Sequence, residues 1–426
     1  MSLPVQCAGE PPLIASSAAP GQERDRSLDI IRGVAIFGLI WVNAQGWSTT
    51  LTSADQVSSW IMFVFAAGKF WTLFSILFGI SLAMQLERAG AGADGFTGRW
   101  LRRMAVLFGI GWVNAILFWP GDILREYAIA GAVLLLFRRV SQRGVLIAAL
   151  LALAISANRQ GSSAVLARML GRPNAPVFMT QARAGAIMSE AGKRLDSARS
   201  GGSYADNVRA RAGLAKHYLV RSSGLAGPLN LVSHAYFALF LLGLYAGRKR
   251  ILQDVGAHLP LLRTMALAGL LIGVPLSMLI NIPWWAPAWL RTSIPGTGAD
   301  YGNMLSDASR YLLACGYACT LILVLAHETW RGRMRWLAPV GRMGLTNYVV
   351  QGAFLTTLND AYGFGLHGKL GSLTWVWIAI AICGLQVVYS NWWLSHFHYG
   401  PVEWLWRKLT NRQPLRMVSA SPVAST

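Results

Sequence analysis

The stretch WIMFVFAAGKFWTLFSILFGISLAM (Trp60–Met84) decides the fold class of this chain, because it carries a single charged side chain, Lys69. A helix rises about 1.5 Å per residue, so about 20 apolar residues cross the ~30 Å hydrocarbon core of a bilayer. A helix on the surface of a soluble protein shows one apolar stripe, whereas this stretch is apolar on every side. It therefore predicts a membrane-spanning helix.

Comparable apolar runs recur along the whole chain. Hydrophobic residues make up 54% of the sequence and charged residues only 13%, whereas about a quarter of the residues of a soluble domain are charged. The runs predict an all-α fold, a polytopic transmembrane helix bundle of about ten spans. We expect these spans at residues 29–47, 57–86, 101–119, 121–137, 142–157, 230–247, 260–282, 303–327, 336–357 and 372–395.

The positions of the basic residues predict the orientation of the bundle. Alternate inter-span segments and the two ends hold twenty lysines and arginines, and the other short loops hold three. Cytoplasmic loops carry the excess of positive charge, so both termini are expected in the cytoplasm. The three are Arg125, Arg291 and Lys369; the twenty are Arg24, Arg26, Arg88, Arg99, Arg102, Arg103, Arg138, Arg139, Arg143, Arg248, Lys249, Arg250, Arg263, Arg331, Arg333, Arg335, Arg407, Lys408, Arg412 and Arg416.

Two function classes are disfavoured by the same residues. The net charge of +20 lies in short blocks between apolar runs, and no basic helix interleaved with aromatic residues is found, so we expect no nucleic-acid partner. The four cysteines are scattered without a CxxC pair. We therefore predict no metal site.

Five regions follow from the pattern. We predict a disordered cytoplasmic tail (1–24), an N-terminal transmembrane bundle (25–157), an external hydrophilic insertion (158–228), a C-terminal transmembrane region (229–412) and a second disordered tail (413–426). The insertion is either a cap on the outer side or a mobile segment. The pattern from His396 to Thr410 predicts an amphipathic helix at the cytoplasmic interface. This helix is either an anchor or part of a functional site.

Ionisable side chains inside the spans need a partner or a function, because each costs about 2.5–3.5 kcal/mol at the centre of a helix. Asp29 and Arg32 lie three residues apart, so they form either a structural pair or a site for an anionic cofactor. Lys69 lies in mid-run and requires an inward-facing partner or ligand. Arg310 and Arg342 are similar cases nearer the span ends.

A second polar group is expected at the outer ends of the spans. It comprises Asn43, Asn114, Asp122, Glu126 and His234. Asp122 and Glu126 are four residues apart, so they fit either acid/base chemistry or an N-terminal helix cap. His234 fits either a general base or a packed span-end residue.

Several motifs in this order resemble those of the YeiB-type bacterial membrane proteins. They are RSLDIIRGVAIFGLIWVN (Arg26–Asn43), GKFWTLFSILFG (Gly68–Gly79), LFWPGDILREYAIAG (Leu117–Gly131), APVGRMGLTNYVVQ (Ala338–Gln351) and YGPVEWLWRKLT (Tyr399–Thr410). The last two resemble the region called domain of unknown function 418. The resemblance covers most of the chain except the N-terminal tail and the insertion, and it implies a multi-pass protein of the bacterial inner membrane.

The first motif is also similar to that of membrane acyltransferases, namely heparan glucosaminide acetyltransferase and the acyltransferase-3 proteins. That resemblance implies transfer of an acyl group from cytoplasmic acyl-CoA to an acceptor on the far side, with Asn43 handling the acyl group. The sequence departs from this pattern, since it has no histidine before His217 and has Asn114 where many YeiB-type proteins carry histidine. Either His234 or the Asp122/Glu126 pair then acts as the base, or the reaction is absent.

The resulting hypothesis is a transmembrane acyltransferase with acyl-CoA as cosubstrate. Asp29, Arg32, Lys69 and Arg342 would bind the CoA, Asn43 and Asn114 would orient the thioester carbonyl, and Asp122, Glu126 or His234 would deprotonate the acceptor. The expected partners are membrane lipids and a small-molecule or glycan acceptor. The alternatives are a transporter for a small anion or lipid and a non-catalytic membrane scaffold.

Overall fold

The structure is a computed structural model that describes residues 20–89, 95–157, 177–222, 235–283, 286, 300–411 and 417. Within these ranges all regular structure is helical, apart from one β-bridge between Thr49 and Gly371. The predicted all-α fold is thereby confirmed. The helices are α1 (Pro20–Gln45), α2 (Ser53–Phe65), α3 (Lys69–Ala89), α4 (Phe96–Leu117), α5 (Leu124–Leu134), α6 (Gln142–Ala157), α7 (Val177–Gly201), α8 (Tyr204–Ser222), α9 (Ala235–Arg248), α10 (Leu259–Leu271), α11 (Gly273–Ile280), α12 (Asp300–Ala326), α13 (Glu328–Arg333), α14 (Ala338–Arg342), α15 (Gly344–Asn359), α16 (Ser372–His396) and α17 (Pro401–Thr410), with 3-10 turns at Leu135–Arg139 and Arg335–Leu337.

Six segments of the described chain are long and apolar enough to cross a membrane. The other four predicted spans correspond to the shorter helices α5, α6, α9 and α15. The six segments are Arg26–Gln45, Ser53–Ala89, Phe96–Leu117, Leu259–Ile280, Leu305–Ala326 and Ser372–His396.

The long apolar run expected at 57–86 consists of two helices rather than one. Thr52 and Asp55 form a reciprocal capping box at the start of α2, which satisfies free backbone N–H groups there. The chain turns between α2 and α3 at Gly68, whose φ of 82° lies in the left-handed region that favours glycine. A Cβ at Gly68 would also overlap the Arg310 side chain. A residue with a side chain would therefore be strained at this turn, whereas glycine is not.

Small residues allow the central helices to pack at short distance. The pair α3 and α9 meets where Gly79 faces Gly243 and where Ala83 faces Gly247. A Cβ on Gly243 would overlap the carbonyl oxygen of Ile76. Such close backbone contacts increase van der Waals packing between helices, which is the main source of association inside a bilayer.

Part of the hydrophilic insertion packs as a helical hairpin, formed by α7 and α8, on the C-terminal ends of α4 and α15. Arg211 donates to the carbonyl oxygen of Leu117, the last residue of α4, and pairs with Asp360 just after α15. Arg125 Nη1 donates to the Ala215 carbonyl at 2.8 Å. Because the arginine-rich start of α4 lies at the other end of that helix, the hairpin covers the end away from the arginines.

Candidate functional site

A cavity of about 500 Å³ lies between α1, α3, α4, α5, α15 and α17. Its wall has two chemically different parts, a polar rim and an apolar interior. The rim includes Asp29, Arg32, Ser81, Gln85, Arg88, Arg103, Arg342, His398, Glu403 and Arg407. The interior includes Ile36, Leu39, Phe74, Leu77, Phe78, Leu107, Ile123, Leu124, Tyr127 and Tyr348. We call this space the main cavity.

The rim of the main cavity is strongly positive. It holds five arginines and two carboxylates, Asp29 and Glu403, which leaves a formal charge of 5 − 2 = +3. Arginine presents a planar fork of donors that fits carboxylates and phosphates. The rim can therefore bind an anionic group.

The arginines of the rim are held in place by neighbouring side chains. Arg32 Nη1 donates to Asp29 Oδ1 at 2.8 Å and Nη2 donates to Ser81 Oγ at 2.6 Å. The i,i+3 spacing on α1 brings Asp29 and Arg32 to one face of the helix. Arg103 donates to Gln85 at 2.9 Å, and its guanidinium lies 4.1 Å from the centre of the Trp406 ring. These contacts fix the direction of the donors before any ligand arrives.

Helix α17 closes one side of the main cavity through Glu403. Its carboxylate Oε1 accepts hydrogen bonds from the backbone N–H groups of Leu345 and Thr346, at 2.6 and 3.0 Å, and Oε2 accepts from Thr346 Oγ1. A carboxylate at the start of α15 satisfies helix N–H groups and interacts favourably with the helix dipole. Burial of this carboxyl raises its pKa above the ordinary value, and the hydrogen bonds from Thr346 and Leu345 oppose the shift.

A smaller pocket of about 70 Å³ adjoins the interior of the main cavity. Leu39, Ile123 and Tyr348 line both spaces and lie between them, at a place that we call the junction. Asn43 lines the small pocket together with Trp71 and Trp119. Asn43 follows Arg32 by eleven positions on α1, which corresponds to about 16 Å along the helix axis. Polar rim residues, apolar interior residues and the Asn43 amide thus follow one another along α1.

Asp122 and Asn114 line neither the main cavity nor the small pocket. Asp122 is completely buried; Oδ1 accepts from Asn114 Nδ2 at 2.9 Å and Oδ2 from the Leu124 backbone N–H at 3.0 Å. The second bond satisfies the backbone N–H group of the first residue of α5, while the N-cap residue is Ile123, which makes no side-chain cap hydrogen bond. Asn114 Oδ1 is buried and accepts no hydrogen bond from the described residues. Glu126 lies in the first turn of α5 and also lines neither space.

The structure does not bring Lys69 to the cavity wall. Its ammonium donates to the Phe63 carbonyl at 2.7 Å and to Ser277 Oγ at 3.4 Å, and only 3% of the residue is exposed. Arg310 pairs with Asp307 at 2.7 Å. Of the four residues predicted to bind CoA, Asp29, Arg32 and Arg342 lie together on the rim and Lys69 lies elsewhere. His234 lies outside the described residues.

Sequence reasoning missed several residues of the cavity wall, among them Arg88, Arg103, Arg407 and Tyr348. The arginines lie at span ends, where the orientation signal alone accounts for them. Tyr348 is one of many aromatic residues in apolar runs, so its position in the sequence does not distinguish it. The aromatic rings that stack on Arg103 and Arg407 lie in the amphipathic segment around Trp406, so that segment was the available signal.

The fold and the cavity define a helical membrane protein with an amphiphilic site, and comparison with known proteins gives its family. A family model described as "Protein of unknown function (DUF418)" matches residues 246–413. The Bacillus subtilis (strain 168) "Uncharacterized protein YxaH" is 31% identical over 408 residues, 91% of this chain and 94% of that protein. The chain therefore belongs to the YeiB-type family with domain of unknown function 418.

Two further relatives extend over similar lengths. The Escherichia coli (strain K12) "Uncharacterized protein YeiB" is 28% identical over 418 residues, which is 92% of this chain and 97% of that protein. The "Uncharacterized 39.9 kDa protein in amylase 3'region" of Bacillus acidopullulyticus is 26% identical over 91% of this chain and 94% of its own length. No solved structure matches the chain significantly.

Proposed function

We propose that this protein is a transmembrane acyltransferase that takes an acyl group from acyl-CoA and passes it to a hydroxyl or amino group of an acceptor. One observation carries the proposal: the main cavity has a rim with a charge of +3 and an apolar interior, and the pocket of Asn43 adjoins that interior. An acyl-CoA matches this order when its phosphates lie at the rim, its thioester reaches the Asn43 pocket and its apolar acyl chain folds back along the interior.

Each part of the donor has a chemically suitable partner in this arrangement. Arg32 and Arg342 would bind phosphate oxygens through charge-assisted hydrogen bonds. The apolar interior would hold the acyl chain, and burial there is favourable by about 25 cal/mol per Å² of apolar surface. The Asn43 amide lies in the small pocket and would donate to the thioester carbonyl, whose oxygen gains negative charge during acyl transfer.

The proposal includes the sidedness of the membrane protein. We infer ten crossings of the bacterial inner membrane, with both termini and the arginine-rich rim in the cytoplasm, where acyl-CoA is made. The twenty-to-three distribution of basic residues supports this orientation. The acceptor would then reach the small pocket from the outer side.

Binding of octanoyl-CoA to the purified full-length protein in lipid nanodiscs tests the proposal. Arg32→Ala and Arg342→Ala should each weaken binding by about tenfold to a hundredfold, because a hydrogen bond to a charged group contributes about 1.5–3 kcal/mol. Arg331→Ala is the control, since this arginine pairs with Glu328 and does not line the main cavity.

The control variant should bind octanoyl-CoA as the wild type does. CoA without an acyl chain should bind more weakly, because the apolar interior would remain unfilled. The proposal is wrong if the wild type does not bind octanoyl-CoA, or if Arg32→Ala and Arg331→Ala bind it equally well while both remain folded by their apparent Tm.

The small pocket adjoins the main cavity, and this arrangement also fits a transporter of an anionic lipid. A transporter would move octanoyl-CoA or a lipid across a proteoliposome membrane with its thioester or ester bonds intact. An acyltransferase would release CoA thiol on the donor side. Comparison of the two products separates these functions. A scaffold would do neither.

A further inference from the structure

The carboxyl group of Asp122 is walled off from both spaces where a substrate could lie. It has no exposed surface, and two hydrogen bonds, from Asn114 and from the Leu124 backbone, hold its two oxygens. A general base must reach the proton that it removes, directly or through one intervening group. Asp122 can therefore act only through a neighbour that lies on the wall.

Tyr348 is placed to be that neighbour. Its side chain interacts with the Asp122 carboxyl group, and it lines the main cavity and the small pocket. Of the three residues at the junction, Leu39 and Ile123 are aliphatic, so Tyr348 alone brings a side-chain O–H group there.

The packing of α15 holds the helix face that carries Tyr348 against the C-terminal end of α4. Gly352 lies one turn after Tyr348 on the same face. A Cβ on Gly352 would lie 3.5 Å from Phe118 Cβ and 3.7 Å from Asn114 Oδ1. This face of α15 therefore packs directly on the end of α4, where the turn with Asp122 begins.

We propose that Tyr348 relays protons between Asp122 and the substrate at the junction, an inference that rests on the acyltransferase function proposed above. The acceptor oxygen attacks the thioester carbonyl carbon and forms the new C–O bond. Its proton passes to the Tyr348 oxygen as the Tyr348 proton passes to the Asp122 carboxylate. The C–S bond then breaks, and the CoA thiolate takes up one proton through the same two groups, which returns both to their starting state.

Tyr127 supplies a matched control for Tyr348. It also lines the main cavity and is almost completely buried, with 1% exposed. Its hydroxyl forms a hydrogen bond with Ser75 Oγ at 2.5 Å and donates a hydrogen bond to the Trp71 carbonyl at 3.0 Å. Tyr127→Phe therefore removes a buried hydroxyl from the same cavity without removing a contact to Asp122.

The experiment measures octanoyl-CoA binding and CoA thiol release by full-length protein in nanodiscs, with water and added methanol as the smallest acceptors. Tyr348→Phe should slow thiol release by about a hundredfold or more, the usual range for lost acid/base catalysis, and leave the Kd for octanoyl-CoA unchanged. Tyr127→Phe should slow thiol release by far less than Tyr348→Phe does.

The Asp122→Asn variant tests the relay as a unit. Groups that act in series are not additive, so the double variant with Tyr348→Phe should be no slower than the slower single variant. Rates that multiply in the double variant, or wild-type thiol release by Tyr348→Phe, overturn the relay. A wild type that binds octanoyl-CoA and transfers to neither acceptor also overturns it, whereas a wild type that does not bind octanoyl-CoA overturns the proposed function itself.

Discussion

Glu403 shows how one side chain joins two helices at the rim of the main cavity. Its carboxylate accepts hydrogen bonds from the backbone N–H groups of Leu345 and Thr346. Glu403→Ala leaves these groups without that acceptor, which costs about 1–3 kcal/mol for a buried polar group. We expect a lower apparent Tm for Glu403→Ala, measured by thermal unfolding in detergent, and a smaller change for Glu403→Gln, whose amide oxygen can accept the same bonds.

The raised pKa of Glu403 also predicts a pH dependence of stability. Burial raises the pKa of this carboxyl above its ordinary value of 4.5. Its protonated form is then favoured in the folded state, so this contribution to stability is present below the ordinary pKa and is lost as pH rises through the raised pKa. Across that interval the apparent Tm of the wild type should fall relative to that of Glu403→Gln. A constant difference between the two would contradict the prediction.

Lys69 and Arg32 show why the sequence predicts a polar site only in part. Both are charges in apolar runs, and the cost of burial requires a partner for each. Lys69 finds it in the backbone carbonyl of Phe63 and in Ser277, more than 200 residues away, which spacing along the sequence does not reveal. Arg32 keeps its place on the cavity wall because its partners, Asp29 and Ser81, also line that wall.

At the scale of elements, the start of α15 offers a test of where the acyl chain lies. Gly344 lines the main cavity, and a Cβ there would lie 4.0 Å from its nearest neighbours, atoms of Ile36 and Phe74. Gly344→Leu should therefore fold, fill the apolar interior and weaken octanoyl-CoA binding more than it weakens binding of CoA alone. Equal affinity of Gly344→Leu and wild type for octanoyl-CoA would place the chain elsewhere.

Gly341 provides the contrasting control for that prediction. It lies three residues before Gly344, and a Cβ on it would overlap the carbonyl oxygen of Asp29. Gly341→Ala should push α14 away from α1 and lower the apparent Tm. The pair of glycine variants thus separates loss of packing from filling of the cavity.

The break between α2 and α3 shows what hydropathy does not report about an element. Residues 57–86 are apolar enough to read as one run, and a window of transfer energies has no term for a backbone turn. The only local signal is Gly68, a residue that is frequent in transmembrane helices without breaking them. The contact between Gly68 and the Arg310 side chain marks the turn, and this contact cannot be read from hydropathy.

At the scale of the whole molecule, the apolar runs predicted the helices well because one physical constraint dominates inside lipid. Every backbone polar group must be bonded within its own segment, so apolar runs become helices. The main cavity was predictable as a need for partners but not as a shape, since its wall combines residues from α1, α3, α4, α5, α15 and α17. No periodicity within one run specifies which faces of six helices meet.

The proposed orientation of the molecule predicts which surface positions face the outside of the cell. Gly201, Gly256 and Gly332 are suitable for single cysteines, since a Cβ at Gly201 or Gly332 meets open space and one at Gly256 has its nearest neighbour at 3.9 Å. In a chain whose four native cysteines are replaced by alanine, a membrane-impermeant maleimide should label Gly201→Cys in intact cells. Gly256→Cys and Gly332→Cys should be labelled only after permeabilisation, because they lie in the inter-span segments that are rich in lysine and arginine and are expected in the cytoplasm. Labelling of Gly332→Cys in intact cells would reverse the orientation and place the arginine rim away from cytoplasmic acyl-CoA.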